Sequence, residues 1–413
     1  MKALKVLIKT LICIVALAAV VVGGYVIYLM AGYERIADGE PSEINGVSFP
    51  ELATSEEMAI IGVIGDPYDD HVVEQAMLKQ GKEYTAVTFN IGFGAYDQDF
   101  SFFMDKGLMA DGAETVGTSS RAKDETTVIY NTQTAAAQVL AQHPDIVLFQ
   151  EVDVKADRSH GVDQVSLIRD AFIDDLKAKA GTADMYGSNQ LYSAFAVNFH
   201  TSYLCYPPTK PIGKIEKSGI LTLSRYGIST STRRSLPVDD GFPTKFFDLD
   251  RCFQVNYMSV QKSDGTIGKL VLINLHTSAY DEGGVIRKEQ MKMLTEVMAE
   301  EYEKGNWVIA GGDFNHAIAG SETKFMNGMQ MPDWVQPFDE DMLPAGFTML
   351  YADNADSVAT DRDSSIPYIP GTNYEVILDG FMVSDNVQAS TSNLDLEYLV
   401  SDHNPVRMKF ILL

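Results

Sequence analysis

The chain has 413 residues, of which 46% are hydrophobic and 22% are charged, an ordinary composition for a globular protein. It shows no internal repeat or low-complexity tract, which argues against solenoids and disordered scaffolds. The formal net charge of −25 at pH 7 disfavours binding to nucleic-acid backbones or anionic lipids, unless metal ions or a basic pocket correct the charge locally.

The first 32 residues differ from the rest of the chain. Three lysines precede an uncharged stretch of 23 residues, Thr10–Gly32, which is long enough to cross about 30 Å of hydrocarbon as a helix. The lysines favour the cytoplasmic side of the membrane, and tyrosines lie near the far end of the stretch. We therefore expect residues 1–32 to form a cytoplasmic tip and a single-pass transmembrane anchor, with the rest of the chain outside the cell. A cleaved signal peptide is the alternative, although its apolar core is normally shorter.

The part beyond this anchor carries 29 basic and 57 acidic residues, a net charge of −28. Acidic side chains that cluster in a cleft could hold divalent cations. The chain contains three cysteines. Cys205 and Cys252 could pair in an extracellular domain, but the sequence alone does not show whether they do.

Predicted elements begin after a polar region. Residues 33–82 are predicted to form a stalk or lead-in, because glycine and proline recur there and no periodicity is sustained. From residue 83 onward, apolar periodicity and end signals predict helices over 126–142, 162–180 and 285–304. Runs rich in β-branched and aromatic residues, bounded by turn signals, predict strands over 84–91, 145–150, 191–198, 219–224, 252–260, 269–275, 307–310, 376–383 and 406–412.

This order of elements predicts an α/β (α+β) fold built on two packed sheets. Strands outnumber helices and do not alternate strictly with them, so a doubly wound sheet is disfavoured. Two sheets packed together with helices outside fit better. A long segment, residues 97–127, separates the first strand of this region from its first helix, and it could form either a lid over a site or a surface loop. Residues 316–372 are predicted to be irregular.

Polar side chains gather where the predicted strands end. Asp402 and His403 are adjacent in sequence just before the terminal hydrophobic run, a poor position for core packing. They are well placed at the edge of a sheet, where active sites of layered α/β proteins gather. The same placement at strand ends marks a set of candidate site residues: Asn90, Glu151, His276, Asp313, Asn315, Asp379, Asp402 and His403.

The residue types in this set indicate a particular chemistry. Carboxylates and amide oxygens are the ligands that hard divalent cations prefer, and no cysteine accompanies them, so Mg²⁺ or Mn²⁺ suits the set better than structural zinc. Two histidines can transfer protons near neutral pH. Hydrolysis of a phosphoester needs a metal to offset developing charge, a base for water, and an acid or metal for the leaving oxygen.

Each residue alone also has an ordinary structural explanation. Asn90 could form a turn, Glu151 could be a surface acid, and His276 could be a core imidazole. Asp379 could cap a strand. The segment Asp313-Phe314-Asn315 could be a simple Asx turn, although the two glycines before it also permit close approach of the backbone to a ligand.

Taken in order, the motifs resemble those of the endonuclease/exonuclease/phosphatase superfamily over residues 83–413. They are Thr88-Phe89-Asn90-Ile91, Phe149-Gln150-Glu151-Val152-Asp153, Ile273-Asn274-Leu275-His276, Gly312-Asp313-Phe314-Asn315, Ile377-Leu378-Asp379 and Ser401-Asp402-His403. The resemblance implies a deoxyribonuclease I-like fold, a four-layer sandwich with two central mixed sheets flanked by helices. The apolar N-terminus would make the chain a membrane-anchored bacterial-type member.

The resemblance also implies metal ligands. Glu151 would be the main Mg²⁺ carboxylate. Asn90 and Asp402 would lie close to the metal or metals, and Asp313 would be a further ligand. Mn²⁺ is a second possible cofactor.

For catalysis, the resemblance implies separate roles for the remaining residues. Asp313 and Asn315 would hold the nucleophilic water and the scissile phosphate. His403, oriented and made more basic by Asp379, would act as the general base. His276 would stabilise the phosphate or protonate the leaving group.

A substrate pocket is also expected near Asn198. Asn198 and the aromatic-rich run that follows it, residues 199–208, could contact substrate. Their alternative role is that of a strand and its turn.

These expectations combine into a membrane-tethered, extracytoplasmic, Mg²⁺-dependent phosphoesterase whose catalytic domain spans residues 83–413. The position beside a bilayer favours phospholipid-type or small phosphoester substrates. An extracellular nuclease acting on DNA or RNA is the alternative, and a catalytically inactive surface binding module is the alternative of another class. No protein partner is evident from the sequence.

Overall fold

The structure is a computed structural model that describes residues 2–48, 61–62, 75–179, 182, 185–239, 241–242, 244–246, 249–279, 281–326 and 328–413. Within these ranges the α-helices are α1 (Lys2–Ala31), α2 (Glu125–Leu140), α3 (Gln164–Lys179) and α4 (Val285–Glu303). The strands are β1 (Ile44–Ser48), β2 (Ile61–Gly62), β3 (Leu78–Lys79), β4 (Glu83–Asn90), β5 (Lys106–Leu108), β6 (Glu114–Val116), β7 (Ile146–Ala156), β8 (Gln190–Leu204), β9 (Gly213–Ser224), β10 (Ile228–Ser235), β11 (Cys252–Gln261), β12 (Ile267–His276), β13 (Trp307–Asp313), β14 (Phe347–Met349), β15 (Asp361–Arg362), β16 (Glu375–Val376), β17 (Asp379–Ser384), β18 (Val387–Asn393) and β19 (Val406–Leu412).

Most of the described strands form two mixed sheets. The first sheet has eight described strands in the order β18-β19-β4-β7-β9-β8-β1-β2. The second has seven, six of them in the order β10-β11-β12-β13-β17-β14, with β3 added beside β11. Parallel pairing joins β4 to β7 and β12 to β13, and most of the other pairs are antiparallel. The parallel pairs place the carboxyl ends of neighbouring strands at one edge, where polar side chains can meet.

The two sheets pack face to face between outer layers of helices. Apolar side chains from both sheets, such as Leu148 and Ile309, form the central core. On the outside of the first sheet, α2 and α3 pack their apolar faces, and Ile168 and Phe172 show the spacing of one helical stripe. On the outside of the second sheet, α4 packs through residues such as Met291. These are the four layers expected from the sequence.

The predicted fold class is confirmed, and most predicted elements occur within a few residues of their expected bounds. Strands β7, β8 and β9 are longer than expected, and the expected strand 376–383 is divided into β16 and β17. Strands β10 and β18 were not predicted because polar residues dominate their sequences: serine, threonine and arginine in β10, and serine, threonine, glutamine and asparagine in β18. The region 316–372 is mostly irregular, as expected, but contains the short strands β14 and β15.

Helix α1 is long and apolar enough to cross a membrane, with a mean hydropathy of 2.7, and a signal sequence would meet the same criteria. Part of the predicted lead-in packs onto the sandwich, since β1 pairs with β8 in antiparallel register. Arg35 also forms an ion pair with Asp250 at 3.1 Å. Residues 49–60 and 63–74 of the predicted lead-in lie outside the described residues.

The segment between β4 and α2, residues 97–124, is attached at several points to the irregular region of the second half. The Phe102 N–H donates to Ser364 O at 2.8 Å, and the Gln330 N–H donates to Leu108 O at 2.7 Å. The hydroxyl groups of Thr115 and Ser365 lie 2.7 Å apart. These contacts make the segment a side of the cleft described below.

Cys205 and Cys252, the pair considered from the sequence, are both free. Cys205 is exposed on the connection between β8 and β9, and Cys252 is buried at the start of β11. Burial raises the pKa of the Cys252 thiol to about 11, so this side chain acts as a small apolar group.

Candidate active site

A cleft of about 470 Å³ opens at the edge of the two sheets where β4, β12 and β13 end. Its size is in the range of pockets that take a small ligand. Six of the predicted site residues line it: Glu151, His276, Asp313, Asn315, Asp402 and His403. Strand register explains why they meet. Asp313 lies beside His276 in the β12–β13 pair and opposite Asp379 in the β13–β17 pair.

His403 is held from behind by a buried carboxylate. Its Nδ1 lies 2.8 Å from Asp379 Oδ2, and both side chains are almost fully buried. The other ring nitrogen, Nε2, lies 3.4 Å from Asp361 Oδ1 and 3.8 Å from Asp313 Oδ2. Burial opposes protonation of His403, but the carboxylates of Asp379 and Asp361 outweigh it and raise the pKa well above its ordinary value. The pair therefore fixes the orientation of the ring and increases its basicity.

Glu151 reaches the cleft through an irregularity in β7. The register between β7 and β9 shifts between Phe149 and Val152, and Glu151 adopts a positive φ of 54°. A bulge of this kind redirects a side chain, and here it leaves the Glu151 carboxylate 24% exposed. Buried Asn90 lies behind it and donates from Nδ2 to Asp313 Oδ2 at 3.1 Å and, more weakly, to Glu151 Oε1 at 3.4 Å. Because Asn90 Oδ1 accepts the Gly92 N–H at 3.0 Å, Asn90 orients the carboxylates in this structure.

His276 lies beside Asp313 at the end of β12, with 3.3 Å between His276 Nε2 and Asp313 Oδ2. Burial lowers the pKa of His276 well below its ordinary value, and the positive charges of Arg251, His403 and Arg158 lower it further. Both effects favour the neutral form of the His276 imidazole.

Polar residues between the sheets support this side of the site. Buried Gln150 donates to Asn274 Oδ1 at 2.9 Å, which joins β7 to β12 next to Glu151 and His276. A buried hydrogen bond with both partners satisfied fixes the relative position of the two sheets.

Asp313 and Asn315 are placed by a tight turn after β13. The Asn315 N–H donates to Asp313 Oδ1 at 2.9 Å, and Asn315 Nδ2 donates to Thr277 O at 3.0 Å. Gly312 has a φ of +151°, and a Cβ there would lie 2.0 Å from Leu275 O. Glycine is required at this position because the neighbouring strand approaches so closely.

Several carboxyl groups that line the cleft have pKa values above the ordinary value of an aspartic acid. Burial raises the pKa of Asp313 to about 6, with His403 opposing the shift. Burial raises the pKa of Asp402 to about 7, and Glu151 adds to the shift. Burial also raises the pKa of Asp361 well above its ordinary value. Crowded acids of this kind bind either protons or a cation.

Two groups of side chains among the described residues bring acid and imidazole ligand atoms within 4.8 Å of one another. One consists of Asp313, Asp379 and His403, and the other of Asp361, Asp402 and His403. The oxygen-rich composition of both groups fits a hard divalent cation, with Glu151 on the same cleft as a further carboxylate.

The structure brings together all predicted site residues except Asn198. Asn90 and Asp379 lie behind the residues that line the cleft. Asn198 is buried in β8 and does not line the cleft, whereas its neighbour Phe199 does. A second set of lining residues was not found from the sequence: Asp105, Arg158, Arg251, Asp361, Arg362 and Asp363. Asp361 and its neighbours lie in the region predicted as irregular, where the sequence shows no strand end to mark them.

Comparison with known proteins identifies the family of the chain. The sequence profile of the Endonuclease/Exonuclease/phosphatase family matches residues 87–403. A comparison with curated proteins finds no match.

The chain is also similar to several solved structures. An endonuclease/exonuclease/phosphatase from Beutenbergia cavernae DSM 12333 is 17% identical, with 80% of this chain and 72% of that chain covered and a TM-score of 0.49. An endonuclease/exonuclease/phosphatase from Bacteroides vulgatus is 14% identical, with 80% and 100% covered and a TM-score of 0.47. TDP2 from Caenorhabditis elegans is 14% identical, with 80% and 75% covered and a TM-score of 0.44. Because the family profile extends over most of the chain, this protein belongs to the endonuclease/exonuclease/phosphatase family.

Proposed function

We propose that the protein is a Mg²⁺-dependent phosphoesterase that hydrolyses phosphodiester or phosphomonoester bonds, with Mn²⁺ as a possible substitute. One observation carries this proposal. The His403–Asp379 pair, with 2.8 Å between Nδ1 and Oδ2, lies beside the carboxylates of Asp313 and Asp402 in a cleft of ligand size. A base with an orienting carboxylate next to oxygen ligands is the arrangement that metal-assisted hydrolysis needs.

The metal would be held by Glu151, Asp402 and Asp313, with Asn90 close behind them. Asp361 adds a carboxylate that the sequence did not indicate. A divalent cation bound there would offset the charge of the carboxylates and of the phosphate. The raised pKa values of Asp313 and Asp402 support this proposal, since acids that hold protons at pH 6 to 7 release them when a cation replaces the protons.

The residues of the chain would divide the remaining work. Asp313 and Asn315 would position the attacking water and the scissile phosphate. His403 would accept the proton from water at Nε2, while Asp379 stabilises the imidazolium that forms. His276, which burial keeps neutral, suits hydrogen bonding to the phosphate better than protonation of the leaving group.

We propose further that the protein is tethered by α1, with its N-terminus inside the cell and a catalytic domain, residues 83–413, outside. Residues 1–32 would be the cytoplasmic tip and anchor and residues 33–82 the lead-in. Resistance of the protein to extraction from membranes by alkaline carbonate tests the anchor. Digestion of the catalytic domain by protease added to intact cells tests the orientation. Release of the protein from untreated membranes would contradict the tether.

A panel of substrates tests the proposed activity. The full-length protein is assayed with Mg²⁺ and with EDTA on bis-p-nitrophenyl phosphate, sphingomyelin, phosphoinositides, nucleotide monoesters, plasmid DNA and RNA. We expect Mg²⁺-dependent turnover that favours lipid or small phosphoesters. Rapid degradation of DNA or RNA with inert lipids would favour the nuclease alternative. Absence of turnover across the panel would favour the inactive binding module.

A further inference from the structure

The cleft combines two kinds of surface. The carboxylates and imidazoles described above line one part of it. Large apolar side chains also line it, and we call them together the apolar wall: Phe102, Met104, Phe199, Ile212, Leu249 and Trp334. Met104 is 39% exposed, so part of this wall is open to a ligand. Metal-assisted cleavage of a phosphate does not itself need such a wall, which therefore indicates a substrate with an apolar portion.

The apolar wall is continuous with the contact between the membrane helix and the catalytic domain. Phe199 belongs to the same hydrophobic cluster as Leu29 of α1, and Ile212 and Leu249 pack against that cluster. Leu29 is only 6% exposed, in contrast to the exposed apolar residues before it, such as Val20 at 71%. The end of the membrane helix is therefore part of the packing that supports the cleft.

Hydrogen bonds strengthen this contact. The Tyr25 hydroxyl donates to Tyr203 O at 3.1 Å and accepts from the Cys205 N–H at 2.8 Å. The Tyr203 N–H donates to the Tyr28 hydroxyl at 3.0 Å. Tyrosines near the end of a transmembrane helix lie at the level of the lipid headgroups. With α1 retained in a membrane, as proposed above, the connection between β8 and β9 would lie at the membrane surface, and residues that flank it contribute to the apolar wall.

Charge argues in the same direction. Arg251 and Arg362 line the cleft and suit a phosphate group, whereas the guanidinium of Arg158 is held by Asp153 at 2.9 Å. A net charge of −25 for the whole chain opposes approach of a long polyanion. A substrate with one phosphate and a hydrocarbon portion fits both surfaces of the cleft.

We propose that the cleft takes a phospholipid from the same bilayer that holds α1, with the hydrocarbon portion against the apolar wall and the phosphate at the carboxylate–imidazole cluster. This proposal rests on the proposed phosphoesterase function and on retention of the anchor. In the reaction, a water oxygen forms a new bond to phosphorus and one ester P–O bond breaks. The water loses one proton to His403, which later releases it to solvent, and the departing oxygen takes one proton from solvent water to give a free hydroxyl group.

The experiment compares lipid in the same bilayer with lipid in another bilayer. Full-length protein is reconstituted with Mg²⁺ in vesicles of phosphatidylcholine, phosphatidylglycerol and sphingomyelin. Deuterated copies of these lipids are placed either in the protein-bearing vesicles or in separate protein-free vesicles, and labelled products are measured by mass spectrometry. We expect hydrolysis of the label in the protein-bearing vesicles to be at least tenfold faster. Equal rates in the two arrangements would overturn the proposal.

Bis-p-nitrophenyl phosphate separates this proposal from the proposed function. Turnover of this soluble probe without turnover of any lipid would overturn the phospholipid proposal and leave the phosphoesterase function intact. No turnover of either would contradict both. Preferred degradation of plasmid DNA by the reconstituted protein would also overturn the phospholipid proposal.

Two sets of variants test the residues involved. The double variant Tyr25→Phe/Tyr28→Phe removes the hydroxyl groups that bind the β8–β9 connection and leaves the cleft unchanged. We expect wild-type turnover of bis-p-nitrophenyl phosphate and a smaller advantage for lipid in the same bilayer.

Met104→Asp places a charge in the apolar wall. It should lower the rate of lipid hydrolysis at least tenfold, and by more than it lowers the rate on the soluble probe. Met326→Asp is the matched control, since Met326 is 45% exposed and does not line the cleft, and it should keep the wild-type lipid rate. Equal losses in the two aspartate variants would contradict the role of the apolar wall.

Discussion

Carboxylates face both ring nitrogens of His403. Asp379 lies behind the ring at Nδ1, while Asp361 and Asp313 lie near Nε2 on the side of the cleft. The nitrogen that Asp379 holds therefore sets the orientation of the ring, and the other nitrogen is left to face the cleft. In the proposed mechanism, Nε2, which faces the cleft, would meet the attacking water, and the Asp379 contact would select the ring orientation that makes this possible.

Replacement of Asp379 tests its positioning role. Asp379→Asn keeps the size of the side chain but removes the negative charge that raises the pKa of His403. We expect kcat for bis-p-nitrophenyl phosphate to fall about 10- to 100-fold, as for other residues that orient a reacting group. The acid limb of the pH–rate profile should move to lower pH because the base becomes less basic. Asp385→Asn, just beyond β17 at an exposed site where Asp385 contacts Tyr302, is the control and should leave kcat unchanged.

A second test uses the raised pKa of Asp402. Its ordinary value of 3.8 applies to the unfolded chain, and the folded value is about 7. Between pH 4 and pH 7, the folded state binds a proton on this carboxyl that the unfolded state has released. As pH rises through this range, the contribution of this carboxyl to the free energy of unfolding therefore falls. In EDTA, we expect Asp402→Asn to gain stability relative to wild type over this range, measured by urea unfolding. A constant difference between the two proteins would show that the Asp402 pKa is not raised.

At the scale of elements, the sequence could predict which residues lie near strand ends but not how far each strand continues. Asn90, His276 and Asp313 were found because an apolar strand precedes each of them. Strands β4 and β12 end within one residue of the expected positions, and β13 ends three residues later than expected. Glu151 was found in the same way, although β7 continues beyond it through a bulge that periodicity does not show.

Asp361 and Asp105 were not found because Asp361 lies in the two-residue strand β15 and Asp105 lies outside any strand, and neither position has a strand signal in the sequence. Tertiary contacts place both residues. The Arg362 N–H donates to Asp402 O at 3.0 Å, and the Ser364 hydroxyl bonds to Asp105. Such contacts depend on the whole fold and have no local sequence signal. Asn198 was expected near the substrate pocket because it ends a predicted strand. In the structure it lies within the longer strand β8, and its side chain is buried.

Because β12 and β13 pack closely, we expect the stability of the protein to be sensitive to substitution of Gly312. In Gly312→Ala the new Cβ would lie 2.0 Å from Leu275 O, in a backbone conformation that alanine rarely adopts. We expect a loss of at least about 1–3 kcal/mol in the free energy of unfolding, together with lower activity, because Asp313 must move. Gly265→Ala is the matched control, since Gly265 also has a positive φ of 84° but no atom within 4 Å of the added Cβ. Urea unfolding that shows equal losses for both variants would contradict the close approach.

At the scale of the whole molecule, helix α1 and the cleft are parts of one arrangement. The first sheet carries Asn90 and Glu151, the second carries His276 and Asp313, and the central core between the sheets holds the two halves of the site together. Helix α1 packs on the connection between β8 and β9, so the same contacts that would place the domain near a bilayer also support the cleft. The acidic charge of the chain then favours a small phosphoester over a polymer.

The central claim is that the carboxylate–imidazole cluster hydrolyses phosphoesters with a divalent cation. The most direct test measures kcat for bis-p-nitrophenyl phosphate with purified full-length protein in Mg²⁺, comparing wild type with His403→Ala and with His200→Ala, a histidine outside the cleft. We predict Mg²⁺-dependent turnover that falls about 10²- to 10⁴-fold in His403→Ala, is partly restored by added imidazole, and is unchanged in His200→Ala. Turnover in His403→Ala equal to that of the wild type would contradict the account.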